Sequence, residues 1–446
     1  MQIKTVSSEL SKSFTIINAL CFWKEKWQIC TVIVRDGLIS EISVQQDEEQ
    51  RESSGDLIDL EGAHLFPGFT DVHVHFREPG RTDKETILTG SQAAAHGGFT
   101  CVCTMPNLDP VPDCLPNLEI QLEKIREAQL IHVLPYGSIT KKQKGLEMAD
   151  MEELAPYVCA FTDDGFGVQN PQMMQKAMLR AKSLGKCIVA HAEDETLVQG
   201  GVIHDGEYAR LHNHPGNPSA SEWKQVERDV ELAGKTGAGY HVCHVSTKES
   251  AALVAEGARK GFDVSFETAP HYLLLNDMQL QEDGRFRMNP PIRSSEDQIA
   301  LIEALKRGEV LCIATDHAPH TAEEKAGGLD HSLNGIVGIE TSFPVLYTGL
   351  VKRGIISLEQ LIEFMSSRAV ERFRLYEVRE PWDSLGISRG LLVGEPADLT
   401  CFDLEESYIV DPKDFLSKGK ASPFTGNEVY GKCLLTMVGG KLAYRA

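Results

Sequence analysis

Residues 66–80 read Phe66-Pro-Gly-Phe-Thr-Asp-Val-His-Val-His-Phe-Arg-Glu-Pro-Gly80. The run is apolar enough for a strand, and one residue separates its two histidines, His73 and His75. On a strand, side chains two apart leave the same face, so both imidazoles point one way at one end. Two neutral ring nitrogens converging on a point make half of a metal site. A lone pair of this kind is as easily a chance surface pair. Its weight comes from the downstream chain, where further apolar runs each end in residues of ligand type.

Working outward, the chain from Leu65 to about Ser388 alternates short apolar runs with longer helical stretches. The runs are Leu65–Phe76, Thr100–Pro106, Ile131–Ile139, Val158–Thr162, Cys187–His191, Tyr240–Val245, Asp263–Glu267 and Val310–Thr315. Between them lie predicted helices over Asp83–His96, Leu118–Ala128, Pro171–Leu184, Glu222–Thr236, Lys248–Lys260 and Ser295–Arg307. Such alternation is the signature of a parallel sheet, and eight units predict a closed (β/α)8 TIM barrel. An open doubly wound sheet is the rival, but no G-x-G-x-x-G follows the first strand.

The two chain ends read differently. Phe14–Asn18, Ile29–Val34 and Leu38–Val44 are short strand candidates, with Asp36-Gly37 as a hairpin turn. Asp398–Asp403 and Leu434–Tyr444 look alike, with Gly439-Gly440 in the turn. They predict a small β-sandwich domain built from residues 1–64 and 389–446, flanking an α/β barrel over 65–388. The acidic stretch Gln45 to Asp56 is expected to be a solvated loop.

Composition bounds the function. A chain of 446 residues with 42% hydrophobic and 24% charged residues is ordinary for a soluble globular enzyme and long enough for a barrel with an accessory unit. Its 44 basic and 65 acidic residues give a net charge of -21, which argues against nucleic acid or an anionic membrane as partner. An anionic substrate would then need a locally positive site. The eleven cysteines show no C-x-x-C pair and mostly have apolar neighbours, so buried reduced thiols and a cytoplasmic protein are expected. Met1 to Thr15 lacks a signal-type apolar core, and no run reaches membrane-spanning length.

A barrel of this kind works at the carboxyl ends of its strands. Those ends carry His73-Val-His75-Phe-Arg77, Thr104-Met-Pro-Asn107, Thr162-Asp163-Asp164-Gly165, Val189-Ala-His191-Ala-Glu193, His241-Val-Cys-His244, Ala269-Pro-His271 and Thr315-Asp316-His317-Ala-Pro-His320. Four histidines and two carboxylates give N/O ligation that suits Zn²⁺, with Mn²⁺ or Co²⁺ as substitutes, and suffice for two ions.

Taken together and in order, these motifs resemble those of the amidohydrolase superfamily and, within it, the dihydroorotases. The resemblance covers nearly the full chain. It implies that His73, His75 and Asp316 hold one zinc, that His191 and His244 hold another, and that Asp164 bridges them. Many superfamily members bridge with a carboxylated lysine; this chain has an aspartate pair there, and the spacing to His191 favours Asp164 over Asp163. The implied reaction is the reversible cyclisation of N-carbamoyl-L-aspartate to L-dihydroorotate in pyrimidine (UMP) biosynthesis, with a hydroxide between the metals as nucleophile and Asp316 as general acid and base. The implied substrate contacts are His75, Arg77, Asn107, Asn289, His320, Asn334 and Gly335. Arg77 shares the strand face of the His-x-His pair, and its planar fork suits a carboxylate. Asn334 departs from the apolar residue that relatives carry before the Gly335 turn.

Other histidines fit less well. His317 is expected to face away from Asp316, His271 to be structural, and His212 and His214 to lie in a loop. His241, an odd number of residues before His244, is expected to face the helix layer. Residues 321–333 are polar and contain glycine, which suits a mobile lid. The rival functions are another cyclic amidohydrolase, such as an allantoinase or dihydropyrimidinase, and a non-catalytic partner subunit. The resemblance also implies a homodimer and, for some members, assembly with aspartate transcarbamoylase.

Overall fold

The computed structural model describes residues 4–5, 12–44, 56–379, 381–382 and 384–446. Of the expected acidic loop, all but Asp56 falls outside the described residues.

The decisive run is not one strand. His64–Pro67 pairs with Leu399–Ile409 in a sheet made from the chain ends, whereas Phe69–Val74 opens the barrel. The division falls at Gly68, where a Cβ would come within 2.1 Å of Thr100 Oγ1, so only glycine lets the chain pass between the two layers. Residues 65–67, expected in the barrel, therefore belong to the terminal sheet.

The barrel continues with Phe99–Thr104, His132–Pro135, a single bridge at Phe161, Ile188–Ala190, Tyr240–Val242, Val264–Thr268 and Cys312–Ile313. Successive members pair in parallel. The fourth position, expected over 158–162, keeps only Phe161 as a bridge to Gly137 and Ile188. The ring closes where Val74 bridges His317 and the His75 N–H donates to the His317 carbonyl at 2.8 Å.

The predicted helices appear as Ile87–His96, Leu115–Ala128, Pro171–Ser183, Ala220–Thr236, Lys248–Arg259 and Ser295–Lys306. Their starts have local causes. Thr86, Asn170, Thr247 and Ser294 each accept a hydrogen bond from a first-turn N–H, satisfying donors that the helix cannot. The segment 83–86, expected in the first helix, precedes its cap. Leu358–Met365 and Ser367–Phe373 form two further helices that the apolar pattern did not single out.

Two apolar layers result. One fills the barrel, with Val72, Cys103, Tyr136, Cys159, Val189 and Cys243 buried on its axis. The other packs strands against helices through residues such as Phe99, Val102, Tyr240 and Val254. All eleven cysteines are free thiols, and all but Cys114 are buried.

The chain ends build one nine-stranded hydrogen-bonded sheet with a core of its own, including Phe14, Ile16, Val32, Leu65, Leu399 and Met437. Both expected hairpin turns adopt left-handed backbone, at Asp36 (φ 51°) and Gly37 (φ 81°) and at Gly439 (φ 53°) and Gly440 (φ 73°). Asn-Gly-like and Gly-Gly pairs supply that geometry with little strain. Among the described residues no helix is long and apolar enough to cross a membrane.

Candidate metal centre and substrate pocket

At the carboxyl end of the barrel, six side chains from five strand ends converge. His73 Nε2 lies 3.5 Å from both Asp164 Oδ1 and Asp316 Oδ1. His75 Nε2 lies 3.5 Å from Asp164 Oδ2 and 3.2 Å from Asp316 Oδ1. On the other side, His191 Nδ1 and His244 Nε2 are 2.9 Å apart, at 3.7 and 3.6 Å from Asp164 Oδ1. Asp164 thus presents one oxygen to His73, His191 and His244 and the other to His75.

Two of these buried atoms, His73 Nε2 and Asp164 Oδ1, have no hydrogen-bond partner. A buried imidazole nitrogen and carboxylate oxygen left unpaired would be costly. Ligands at ~2.1 Å from one tetrahedral ion lie roughly 3.4 Å from each other, which is the spacing seen here. Geometrically, His73, His75 and Asp316 form one ligand group and His73, Asp164 and His244 another. The donor set therefore fits a metal.

Local backbone explains how the ligands reach the cavity. His73 lies within the first strand and His75 one residue beyond it, on the same face. His244 (φ 33°) and Asp316 (φ 49°) sit past strand ends in left-handed backbone, which redirects their side chains inward. Such conformations in non-glycine residues are held by their surroundings and cluster at functional sites. This also corrects the expectation for His241. The two-residue period stops at Val242, so both His241 and His244 can face inward. His241 lies inside the barrel, its Nε2 3.1 Å from Glu267 Oε2.

Asp163 and Asp164 part ways completely. Asp163 Oδ1 accepts the Ile139 and Thr140 N–H groups at 2.8 and 3.0 Å, and its other oxygen accepts the Thr140 hydroxyl. It ties one rim loop and lies outside the cluster. Burial pushes its carboxyl up to about 6. For Asp164 burial acts in the same sense, but the facing imidazole of His73 outweighs it and the carboxyl lies well below its ordinary value.

A cavity of about 180 Å³ opens above the cluster. Arg77, Asn107, Asn289, His320, Asn334 and Gly335 all line it. Arg77 is half-buried in the cavity wall, and its partial desolvation pushes the guanidinium down to about 10. Its Nε donates to the Pro319 carbonyl at 3.3 Å, and among the described residues it forms no ion pair. Asp83 pairs instead with Arg81, and Glu78 accepts the Ile87 N–H. Gly335 (φ 134°) has no room for a Cβ, which would come within 2.6 Å of the Ala318 carbonyl oxygen.

Several pocket residues are already engaged by protein. Asn107 Oδ1 accepts from His75 Nδ1 at 2.9 Å. Asn289 Nδ2 donates to Glu193 Oε2 at 3.1 Å. His320 Nε2 donates to the Asn334 carbonyl at 2.7 Å. The expected lid folds into two short helices, Ala322–Lys325 and Gly328–His331. The buried Lys325 Nζ pins it by donating to the carbonyls of Arg287, Leu333 and Gly335.

The remaining histidines stand apart from the ligand cluster. His317 faces Glu85 at 3.5 Å, and His271 packs against Tyr272. His212 ends a short helix, Glu207–His212, rather than lying in a loop, and His214 pairs with Glu282 and Asp330. The sequence reading gave three carboxylates no role. Asp71 accepts from the His73 and Thr315 N–H groups, Glu193 supports Asn289, and Glu267 accepts from His73 Nδ1 at 2.8 Å. A charged residue inside an apolar strand, as in Val264-Ser-Phe-Glu-Thr268, was the available signal.

A family model described as dihydro-orotase-like matches residues 62–250. Dihydroorotases of Bacillus thuringiensis (strain Al Hakam) and Bacillus cereus (strain AH187) are each 46% identical over 417 residues, covering 93% of this chain and 94% of theirs. Among solved structures, the L-hydantoinase (dihydropyrimidinase) from Arthrobacter aurescens superposes with a TM-score of 0.82 at 25% identity, covering 97% of this chain and 96% of that one. A D-hydantoinase (dihydropyrimidinase) from Thermus sp. gives 0.81 at 24% identity, covering 97% of this chain and 95% of that one, and speaks to the fold.

Proposed function

The chain belongs to the dihydroorotase family of cyclic-amide hydrolases, and on that premise we propose that it interconverts N-carbamoyl-L-aspartate and L-dihydroorotate in pyrimidine synthesis. The observation that carries the substrate is Arg77: a half-buried guanidinium lining the cavity beside the ligand cluster, with no ion-pair partner among the described residues. A substrate carboxylate supplies that partner, bidentately. Hydantoin rings lack this carboxylate, and Asp164 stands where many cyclic amidohydrolases use a carboxylated lysine. Both features favour dihydroorotate over the hydantoinase and allantoinase reactions.

His73, His75 and Asp316 would hold one zinc and His191 and His244 a second, with Asp164 reaching both groups. Zinc bound there supplies an activated water and polarises the ring carbonyl. Asp316 faces the cavity from the eighth strand. Its carboxylate takes a proton from the water as that water adds to the ring carbonyl carbon and delivers it to the ring nitrogen as the C–N bond breaks; cyclisation runs the transfer in reverse. Burial alone would raise this carboxyl, but the neighbouring imidazole of His75 and those of His73 and His244 hold it well below its ordinary value, so it stays ionised and free to accept. Arg77 and His320 orient the substrate carboxylate, and Asn289, Asn334 and Gly335 border the ring.

The test is hydrolysis of dihydroorotate, followed by loss of ultraviolet absorbance, with zinc per chain measured on the same sample. Asp316→Asn is expected to abolish turnover while zinc remains bound. No turnover by the zinc-loaded protein, alone or with aspartate transcarbamoylase added, would refute the substrate. Sedimentation alone and with the transcarbamoylase tests the expected homodimer and complex. A cytoplasmic setting accords with eleven free thiols.

A further inference from the structure

The seventh barrel strand, Val264–Thr268, contributes none of the six ligands, yet it buries a carboxylate directly beneath them. Glu267 is fully buried and receives three donors. His73 Nδ1 lies 2.8 Å from Oε1, His241 Nε2 lies 3.1 Å from Oε2, and the backbone N–H of His244 lies 3.3 Å from Oε1. One side chain therefore touches a ligand from each half of the cluster.

The contacts continue along the barrel axis to the opposite face. His241 Nδ1 lies 2.8 Å from Ser265 Oγ. Ser265 Oγ accepts from Arg372 Nε at 2.9 Å, and Arg372 is held by Asp263. An arginine can only donate and a carboxylate can only accept. With a single proton on His241, one polarity satisfies every contact. Arg372 donates to Ser265, the Ser265 hydroxyl donates to His241 Nδ1, and His241 Nε2–H donates to Glu267. The other Glu267 oxygen then takes Nδ1–H from His73, leaving the His73 Nε2 lone pair aimed into the cluster, where the structure shows it unpaired.

We propose that Glu267 is a positioning residue that fixes the Nδ1–H tautomer and ring orientation of His73, and that Arg372 and Ser265, at the far face of the barrel, set its polarity through His241. The inference rests on reading His73 as a metal ligand. A carboxylate behind a ligating histidine raises the basicity of that ligand, and losing such a partner costs roughly 10–100-fold in metal affinity.

The test combines two readouts on the full chain. Long-range ¹H–¹⁵N correlation of histidine-labelled, metal-free protein at pH 8 reports each tautomer, and competition with a chelator reports zinc affinity. The wild type is expected to carry the His73 proton on Nδ1 and the His241 proton on Nε2. Glu267→Gln, whose amide nitrogen must donate to one of the two rings, is expected to shift a tautomer and weaken zinc binding roughly 10–100-fold. Glu267→Asp keeps the acceptor-only chemistry and is expected to recover the tautomers and most of the affinity. Ser265→Ala removes one hydroxyl and serves if Glu267→Gln fails to fold; it is expected to redistribute the His241 proton and cost about fivefold in affinity. A wild-type His73 protonated on Nε2 overturns the proposal, as do unchanged tautomers and affinity in Ser265→Ala and Glu267→Gln. A wild type with the expected tautomers that binds no zinc refutes the metal reading instead, and the relay then stands alone.

Discussion

His75 and Asn107 are joined at the mouth of the barrel: the ring Nδ1 lies 2.9 Å from the amide Oδ1, while Nε2 faces Asp316 at 3.2 Å. The amide oxygen can only accept, so it holds the His75 proton on Nδ1 and frees Nε2 for a metal. Asn107 thus serves the ligand cluster as well as the pocket. Asn107→Ala is therefore expected to lower zinc affinity roughly tenfold in addition to raising KM. A pure substrate contact would raise KM at unchanged zinc affinity, and chelator competition beside steady-state kinetics separates the two.

The neighbouring aspartates predict opposite phenotypes. Asp164→Asn is expected to cut zinc content and lower kcat by at least a hundredfold, since the cluster loses the carboxylate common to both halves. Asp163→Asn is expected to keep zinc but to unfold more easily, by about 1–3 kcal/mol, because three buried donors lose their charged acceptor. Metal analysis and denaturant melts of both variants check the pair.

His320 predicts a pH dependence. Burial, and then the nearby Arg77 guanidinium, push its pKa down to about 4. The folded state therefore binds fewer protons than the unfolded chain between pH ~4 and ~6.5. The stabilisation is present in full above pH ~6.5 and is lost as the pH falls towards 4, by up to roughly 3 kcal/mol. His320→Asn is expected to flatten this part of the acid limb in denaturant midpoints measured across pH 4–7. Because His320 is neutral at working pH, KM for dihydroorotate is expected to show no His320-linked inflection between pH 6.5 and 8.

Lys325 spends three N–H groups on the carbonyls of Arg287, Leu333 and Gly335, at 2.7–3.0 Å. Lys325→Met removes the donor to the Leu333 and Gly335 carbonyls beneath the pocket rim, while the Arg287 carbonyl keeps the Gly335 N–H, a cost of about 1–3 kcal/mol for each acceptor left without a partner that water cannot reach. The expected result is faster proteolysis within 321–335 and a KM raised several-fold, with zinc content unchanged. Unaltered KM together with increased proteolysis would show that the segment does not shape the pocket.

Most of the barrel was legible because its causes are local. Helix starts were marked by capping residues such as Asn170 and Ser294, and strands by short apolar runs. The fourth strand was the exception, since composition cannot tell how few of residues 158–162 form ladder bridges. The pocket residues were legible as a set, but their hydrogen-bond partners were not. Nothing local links Asn107 to His75 or Glu267 to His73, which lie 32 and 194 residues apart.

The sequence by itself determined the alternation that makes a barrel, the sheet from both chain ends, and the histidines and carboxylates placed where strands end. Those features follow from side-chain period, turn chemistry and residue type, all of which act over a few residues. The tertiary structure alone decided that Asp164 turns into the cluster while Asp163 ties the rim, that His241 lies inside the barrel, and that Glu267 stands beneath the ligands. The two-residue period ends with the strand, and left-handed residues such as His244 and Asp316 then aim their side chains by contacts made across the whole ring.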